Sequence, residues 1–139
     1  MAEGTTEITV ADSGDGHFTQ KATGKKHVFL SDATLEKGGD DKGPSPYELL
    51  LAALGSCTSI TIRMYAERKG WPLDKVSVKL THHKEDDMGN VQLDIITRDI
   101  KLEGKLDDEQ RARLLEIANK CPIHKTLGNN PRLLTRLDT

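Results

Sequence analysis

Ser45-Pro-Tyr-Glu-Leu-Leu-Leu-Ala-Ala-Leu-Gly-Ser-Cys-Thr-Ser-Ile-Thr-Ile-Arg-Met-Tyr-Ala-Glu-Arg-Lys-Gly-Trp-Pro72 is the stretch whose reading decides the fold. Ser45 is a good N-cap, Pro46 suits the first helical position, and Glu48 completes a Ser-x-x-Glu capping box. Helix formers then run to Arg68-Lys69, Gly70 can take the left-handed conformation just past a helix end, and Pro72 blocks continuation. Leu50, Leu51, Leu54, Cys57, Ile60, Thr61 and Met64 recur at helical spacing, while Leu49, Ala52, Ala53, Gly55 and Ile62 make the other side apolar as well. A helix apolar nearly all round is expected to be buried nearly all round. In a chain of 139 residues and 15.3 kDa, that calls for a second copy to cover part of it.

Before this helix the sequence reads as a β-meander. Ile8 and Val10 alternate with polar residues, Asp12-Ser13-Gly14-Asp15-Gly16 turns, and Phe18 lies in a second strand. Thr23-Gly24-Lys25-Lys26 turns again into His27-Val28-Phe29-Leu30. Residues 31–45 form a polar connection, of a length that is uncommon unless functional or mobile. After the helix, Lys75 to His83 alternates with Val76, Val78, Leu80 and His82 on one face. Asp86-Asp87-Met88-Gly89-Asn90 is a hairpin turn, and the return strand shifts phase from Val91, Leu93 and Ile95 to Ile96, Ile100 and Leu102. A β-bulge near Ile95 would account for that shift. Asp107 and Gln110 open a second helix with a capping box. Cys121-Pro122 breaks it and starts a short helical turn closed by Gly128, and Asn129-Asn130-Pro131 leads to a last strand around Leu133 and Leu134. The expected order is βββαββαβ, an α+β fold with mostly antiparallel pairing, in one domain over residues 1–139.

Composition narrows the function classes. Twenty basic against twenty-two acidic residues give a net charge of −2, with no basic stripe, which argues against nucleic acid. Aromatics are 4%, too few for a base-stacking surface. The longest aliphatic run, Leu49 to Leu54, falls far short of the ~20 residues of a membrane span. The first residues carry no basic region followed by an apolar one, so the expectation is a cytoplasmic protein with no membrane partner.

Two cysteines are too few for a disulfide scaffold; in a cytoplasmic chain they are core residues, metal ligands or a redox pair. Cys121, followed by Pro122, sits at a helix N-cap, where free N–H groups and the dipole favour a thiolate. Its plain reading is a buried thiol at a helix-breaking corner. Cys57 lies three turns inside the long helix, where burial makes a thiol inert unless a cation or donor comes from elsewhere. Gly55 and Ser56 beside it leave room for close approach by a backbone, a ligand or a partner helix. Glu48 is a capping-box residue first: nine residues put it across the helix from Cys57 and some 13 Å along the axis. A carboxylate so placed could approach Cys57 of a second copy packed antiparallel. Cys121-x-x-His124 lacks the four ligands of a structural zinc site, so no metal is expected. His82 and His83, adjacent on a strand, must face opposite sides.

The stretch from Gly43 through Cys57-Thr58, joined to Cys121-Pro-Ile-His-Lys-Thr-Leu 64 positions after the first cysteine, resembles the OsmC/Ohr family of osmotically inducible and organic hydroperoxide resistance proteins, closest to its OsmC-like branch. The resemblance extends over essentially the whole chain. It implies an intertwined homodimer with sites at the subunit interface, and peroxidase chemistry with no cofactor. Cys57 inherits the peroxidatic role and Cys121 the resolving one: a Cys57 sulfenic acid condenses to a Cys57–Cys121 disulfide, which an external dithiol reduces. Peroxide-reducing members place a glutamate directly after the motif proline; here Tyr47 stands there and Glu48 follows. They also use an arginine from the early strands, and this chain has none before Arg63, leaving Lys25, Lys26 or Lys42 to substitute without a bidentate clamp. The alternatives are a small-molecule or acyl-group binding module of the same fold, and a redox sensor.

Overall fold

The computed structural model describes residues 4–87, 89 and 91–138. The chain divides into two compact units, Met1–Leu50 and Leu51–Thr139.

In the first unit, β1 (Thr9–Asp12), β2 (Gln20–Thr23) and β3 (Val28–Ser31) form an antiparallel meander in that order. Val10 pairs with Ala22 and Ala22 with Phe29, and Ala22 is buried. Phe18, expected in the second strand, precedes it: its carbonyl accepts from Gln20 Nε2 at 3.2 Å, at the close of a bend. The connection after β3 is neither structureless nor free. It holds a short 3-10 turn, Leu35–Lys37, and is tied down by the buried Asp32. That carboxylate accepts from Thr19 Oγ1 at 2.7 Å, from the Ala33 amide at 2.7 Å and from the Lys42 amide at 3.1 Å. Gly43 passes so close to the Leu30 carbonyl that a side chain there would collide with backbone.

Helix α1 (Pro46–Lys69) starts and stops where the sequence dictates. Ser45 N donates to Glu48 Oε1 at 3.0 Å and Glu48 N to Ser45 Oγ at 3.3 Å, the reciprocal capping box. At the other end Gly70 has φ +70°, with Gly70 N bonded to Glu67 O and Trp71 N to Ala66 O, the paired closure of a Schellman motif. Its fully buried residues form one stripe, Leu54, Thr58, Ile62 and Ala66; Ile60 and Met64 are 53% and 65% exposed in the single chain. All-round burial is therefore absent within one copy. By length and mean hydropathy (1.4) α1 could also cross a membrane, although no single aliphatic run in it is long. In the second unit, however, the stripe is the wall of a core.

That core contains Ile62, Ala66, Leu73, Leu106, Leu114 and Ala118, with Val76, Ile100 and Leu102 packed against it. Strands β4 (Leu73–Asp86) and β5 (Gln92–Gly104) pair antiparallel, and helices α2 (Asp108–Ala118) and α3 (Pro122–Gly128) follow. Val76, Val78, Leu80 and His82 share the half-buried face of β4, as their alternation requires. No bulge occurs at Ile95, which pairs with His83 in unbroken register; the irregularity lies between Leu73 and Lys75. The apparent phase shift arises because β5 is apolar on both faces at this end: Ile96 and Ile95 are both half-buried, while Leu93 is 44% exposed. Of the hairpin turn, Met88 and Asn90 lie outside the described residues; Asp87 N bonds to Val91 O at 2.7 Å. The capping box of α2 is present, with Gln110 N to Asp107 Oδ1 at 2.7 Å and Asp107 N to Gln110 Oε1 at 3.0 Å. The last strand is not formed. Leu133 and Leu134 are 86% and 70% exposed and pair with no strand among the described residues, and a strand without a ladder partner has nothing to satisfy its backbone.

Candidate active site

The site is assembled from three elements of the second unit. Helix α1 presents Cys57 and Thr58 in its fourth turn, the α2–α3 corner presents Cys121, and β5 contributes Arg98. Gly55, two residues before Cys57, is the point of close approach expected from its missing side chain. Leu80 of β4 fills that space, 2.6 Å from where a Cβ would stand.

Cys121 is the N-cap of α3, with Pro122 behind it, as the Cys-Pro sequence implies. Its sulfur accepts from the His124 amide at 3.3 Å and lies 3.8 Å from Thr58 Oγ1. Cys121 is wholly buried and Cys57 half-buried; neither is in a disulfide. The two thiols are close enough to shift one another's ionisation, and the Ile123 amide acts on both.

The pair is electrically unequal. Burial pushes Cys121 up, but the His124 amide, the Cys57 thiol, the Thr58 hydroxyl and the Ile123 amide together outweigh it and hold Cys121 below the ordinary cysteine range. Burial also raises Cys57; the hydrogen bond and charge of Cys121 add to this, and the Ile123 amide and Thr61 hydroxyl offset only part, so Cys57 ends above that range. With Cys121 shifted down and Cys57 shifted up, Cys121 is the thiol of the pair that gives up its proton more readily. A half-buried thiol thus stands beside a wholly buried one that is the easier of the two to ionise.

Arg98 is the residue the sequence reading missed. It sits on the same parity of β5 as Ile96, Ile100 and Leu102, so a charged residue occupies the inward face of an apolar strand. That was the available signal. Nη1 donates to Thr58 Oγ1 at 2.9 Å and to Ala118 O at 3.0 Å; Nη2 donates to Asn119 Oδ1 at 2.9 Å and meets His124 Nδ1 at 2.8 Å. A guanidinium only donates, so His124 accepts through Nδ1 and carries its hydrogen on Nε2. Arg98 and His124 also line a cavity of about 240 Å³ whose other walls include Leu54, Ile96 and Leu127.

Cys57 and Cys121 are therefore brought together, and Glu48 is not: its Oε1 serves the α1 cap, and none of the hydrogen bonds described at the two thiols comes from it. Lys42 pairs with Asp15, its Nζ 2.8 Å from the Asp15 carbonyl and 3.3 Å from Oδ1, and Lys25 and Lys26 are exposed at the β2–β3 turn. The Cys-x-x-His spacing is used for capping, through the His124 amide, and the ring's Nδ1 is taken by Arg98. Among the described residues no group of three His, Cys, Asp or Glu side chains is placed to hold a metal ion. His82 and His83 face opposite sides, the first bonded to Asp94 and 13% exposed, the second to Glu85 and 51% exposed.

An α+β fold whose long helix sets one thiol against a second at a helix N-cap defines a paired-cysteine protein. A family model described as OsmC-like protein matches residues 39–135, and the chain belongs to that family. Solved structures share the fold. An OsmC-like protein from Mycoplasma pneumoniae has a TM-score of 0.76 and 17% identity, covering 93% of this chain and 91% of that one. An organic hydroperoxide resistance protein OsmC from Legionella pneumophila has a TM-score of 0.68 and 19% identity, with 94% of each chain covered. An organic hydroperoxide resistance protein from Elizabethkingia anophelis, bound to thiocyanate, has a TM-score of 0.70 and 15% identity, covering 94% of this chain and 92% of that one. No curated protein matches the chain.

Proposed function

We propose that this protein is a thiol-dependent peroxidase that reduces organic hydroperoxides or hydrogen peroxide in oxidative-stress defence, using its own two cysteines and no cofactor. The observation that carries this reading is the unequal pair: a wholly buried Cys121 held below the ordinary cysteine range beside a half-buried Cys57 pushed above it. As peroxide approaches, the proton passes from Cys57 to Cys121, and the freed Cys57 thiolate attacks the terminal peroxide oxygen. The O–O bond breaks, giving a Cys57 sulfenic acid and an alkoxide, or hydroxide from hydrogen peroxide. The Cys121 proton neutralises that leaving group. The restored Cys121 thiolate attacks the Cys57 sulfur, hydroxide leaves, and a disulfide forms. An external dithiol reduces it by exchange, becoming a disulfide itself.

The active form is read as a cytoplasmic homodimer. The exposed apolar residues of α1, and Leu133, Leu134 and Leu137 beyond α3, are what a second copy would cover. In that dimer Glu48 of the partner subunit supplies the carboxylate assigned to the site. Sedimentation at micromolar concentration should give twice the 15.3 kDa chain mass; a monomer would remove both assignments.

A second reading, a binding module with little turnover, is favoured by the apolar cavity walled by Leu54, Ile96 and Leu127 beside Arg98. Stopped-flow consumption of hydrogen peroxide, an aryl hydroperoxide and a fatty-acid hydroperoxide in the presence of a dithiol separates the two. Sustained turnover lost in Cys57→Ser supports the peroxidase, and no consumption of any of the three refutes it.

A further inference from the structure

Among the described residues, two donors outside the thiol pair and Ile123 reach the Cys121 sulfur, the Thr58 hydroxyl and the His124 amide. They come from different elements, α1 and α3. Arg98 grips both residues at once, Thr58 through Nη1 and His124 through Nη2. The same two nitrogens hold Ala118 O and Asn119 Oδ1, the end of α2 that leads directly into Cys121. All four Nη hydrogens are thereby used.

We propose that Arg98 is the positioning residue of the thiol pair, a pin that fixes the Cys121 corner against α1 and aims the Thr58 hydroxyl and the His124 amide at the Cys121 sulfur. This rests on the reading of Cys57 and Cys121 as a redox pair.

The hydroxyl geometry shows how. Thr58 has one hydrogen and two places to send it, Leu54 O at 2.7 Å and Cys121 Sγ at 3.8 Å. Arg98 donates into the Thr58 oxygen, so it occupies a lone pair and polarises the O–H bond without competing for that hydrogen. When Cys121 carries charge, the polarised hydrogen can turn to the sulfur; when Cys121 takes the Cys57 proton, it returns to Leu54 O. The hydroxyl therefore follows the proton as it moves across the pair. The His124 contact works on the other side: holding Nδ1 fixes the first turn of α3, which carries the His124 and Ile123 amides. A corner at a helix break is normally free to move, because few backbone hydrogen bonds hold it. Here four contacts from one side chain on a strand replace the missing ones. No early-strand arginine is needed for this, and a lysine could not substitute, since three donors on a point charge cannot span four separate acceptors.

The test uses the reduced full-length protein with no peroxide present, so it reads the pin apart from peroxidase turnover. Thiolate is followed by absorbance near 240 nm as pH is raised. Arg98→Gln should lower the thiolate-to-thiol ratio at neutral pH roughly tenfold, the scale of losing one charge-assisted network. Thr58→Val, which removes the relay and leaves the other three Arg98 contacts, should lower it by a smaller factor. Arg98→Lys should fail to restore it. A folded Arg98→Gln whose titration superimposes on wild type overturns the proposal. If Arg98→Gln does not fold, an unchanged titration in Thr58→Val overturns it equally.

Discussion

Replacing Cys121 with serine removes the more readily ionised thiol and leaves the rest of the site standing. Serine is among the best N-caps, so α3 keeps an acceptor for the His124 amide. The cost is a hydroxyl buried where a wholly buried thiol had been, with the His124 amide and Thr58 hydroxyl still facing it. That is about 1 kcal/mol, or roughly 2–6 °C in Tm for a chain of this size. The variant should therefore fold, and its chemistry can be read cleanly. One cysteine of the two remains, so peroxide consumption should stop at one equivalent per chain even with excess dithiol excluded until after the burst. Dimedone should then add to Cys57. The burst should be slower than in wild type at neutral pH, because the acceptor of the Cys57 proton is gone and burial still raises Cys57. Rapid-mixing stoichiometry with mass mapping of the adduct measures all three. An unslowed burst would mean that Cys121 hinders Cys57 as a neighbour more than it serves as proton acceptor, against the proposed proton transfer. Consumption through Cys121 in Cys57→Ser, with dimedone on Cys121, would reverse the assigned roles and refute the mechanism.

Two further outcomes concern the scaffold. Ile62→Ala empties a fully buried position in the core stripe of α1 and should cost about 2–5 kcal/mol in urea denaturation, with a loss under 1 kcal/mol contradicting the packing. Asp32 is raised by its burial, yet the Thr19 hydroxyl and the Lys42, Ala33 and Asp40 amides outweigh this and hold it below the usual carboxyl range. A depressed folded value gives stability that is present above the unfolded value of ~3.9 and lost as pH falls through the folded one. Asp32→Asn should accordingly flatten the acid limb of stability as pH falls below ~4; an unchanged limb would show that Asp32 does not set it.

What the sequence made legible was local. The α1 boundaries follow from Ser45, Glu48 and Gly70 within one turn of each end, and the Cys121 cap follows from the adjacent Pro122. The two thiols could be paired only through resemblance, because nothing in the spacing of Cys57 and Cys121 fixes how β4, β5 and α2 fold the chain between them. Arg98 stayed hidden for the same reason: its acceptors lie 20 to 40 positions away, and only its place on the inward parity of β5 hinted at them. The misplaced bulge near Ile95 came from reading two apolar faces as one shifted face. The last strand failed because alternation supplies a pattern but not a partner; residues around Leu133 have no ladder to join.

The most direct test of the redox pair is covalent. Reduced protein treated with one equivalent of peroxide, quenched by alkylation and digested without reductant, should yield a single cross-linked species joining the Cys57 and Cys121 peptides of one chain. Its reversal by a dithiol should restore both free thiols. Peptides in which both cysteines emerge alkylated, or in which Cys57 is oxidised to sulfinic acid with Cys121 untouched, would contradict the pairing.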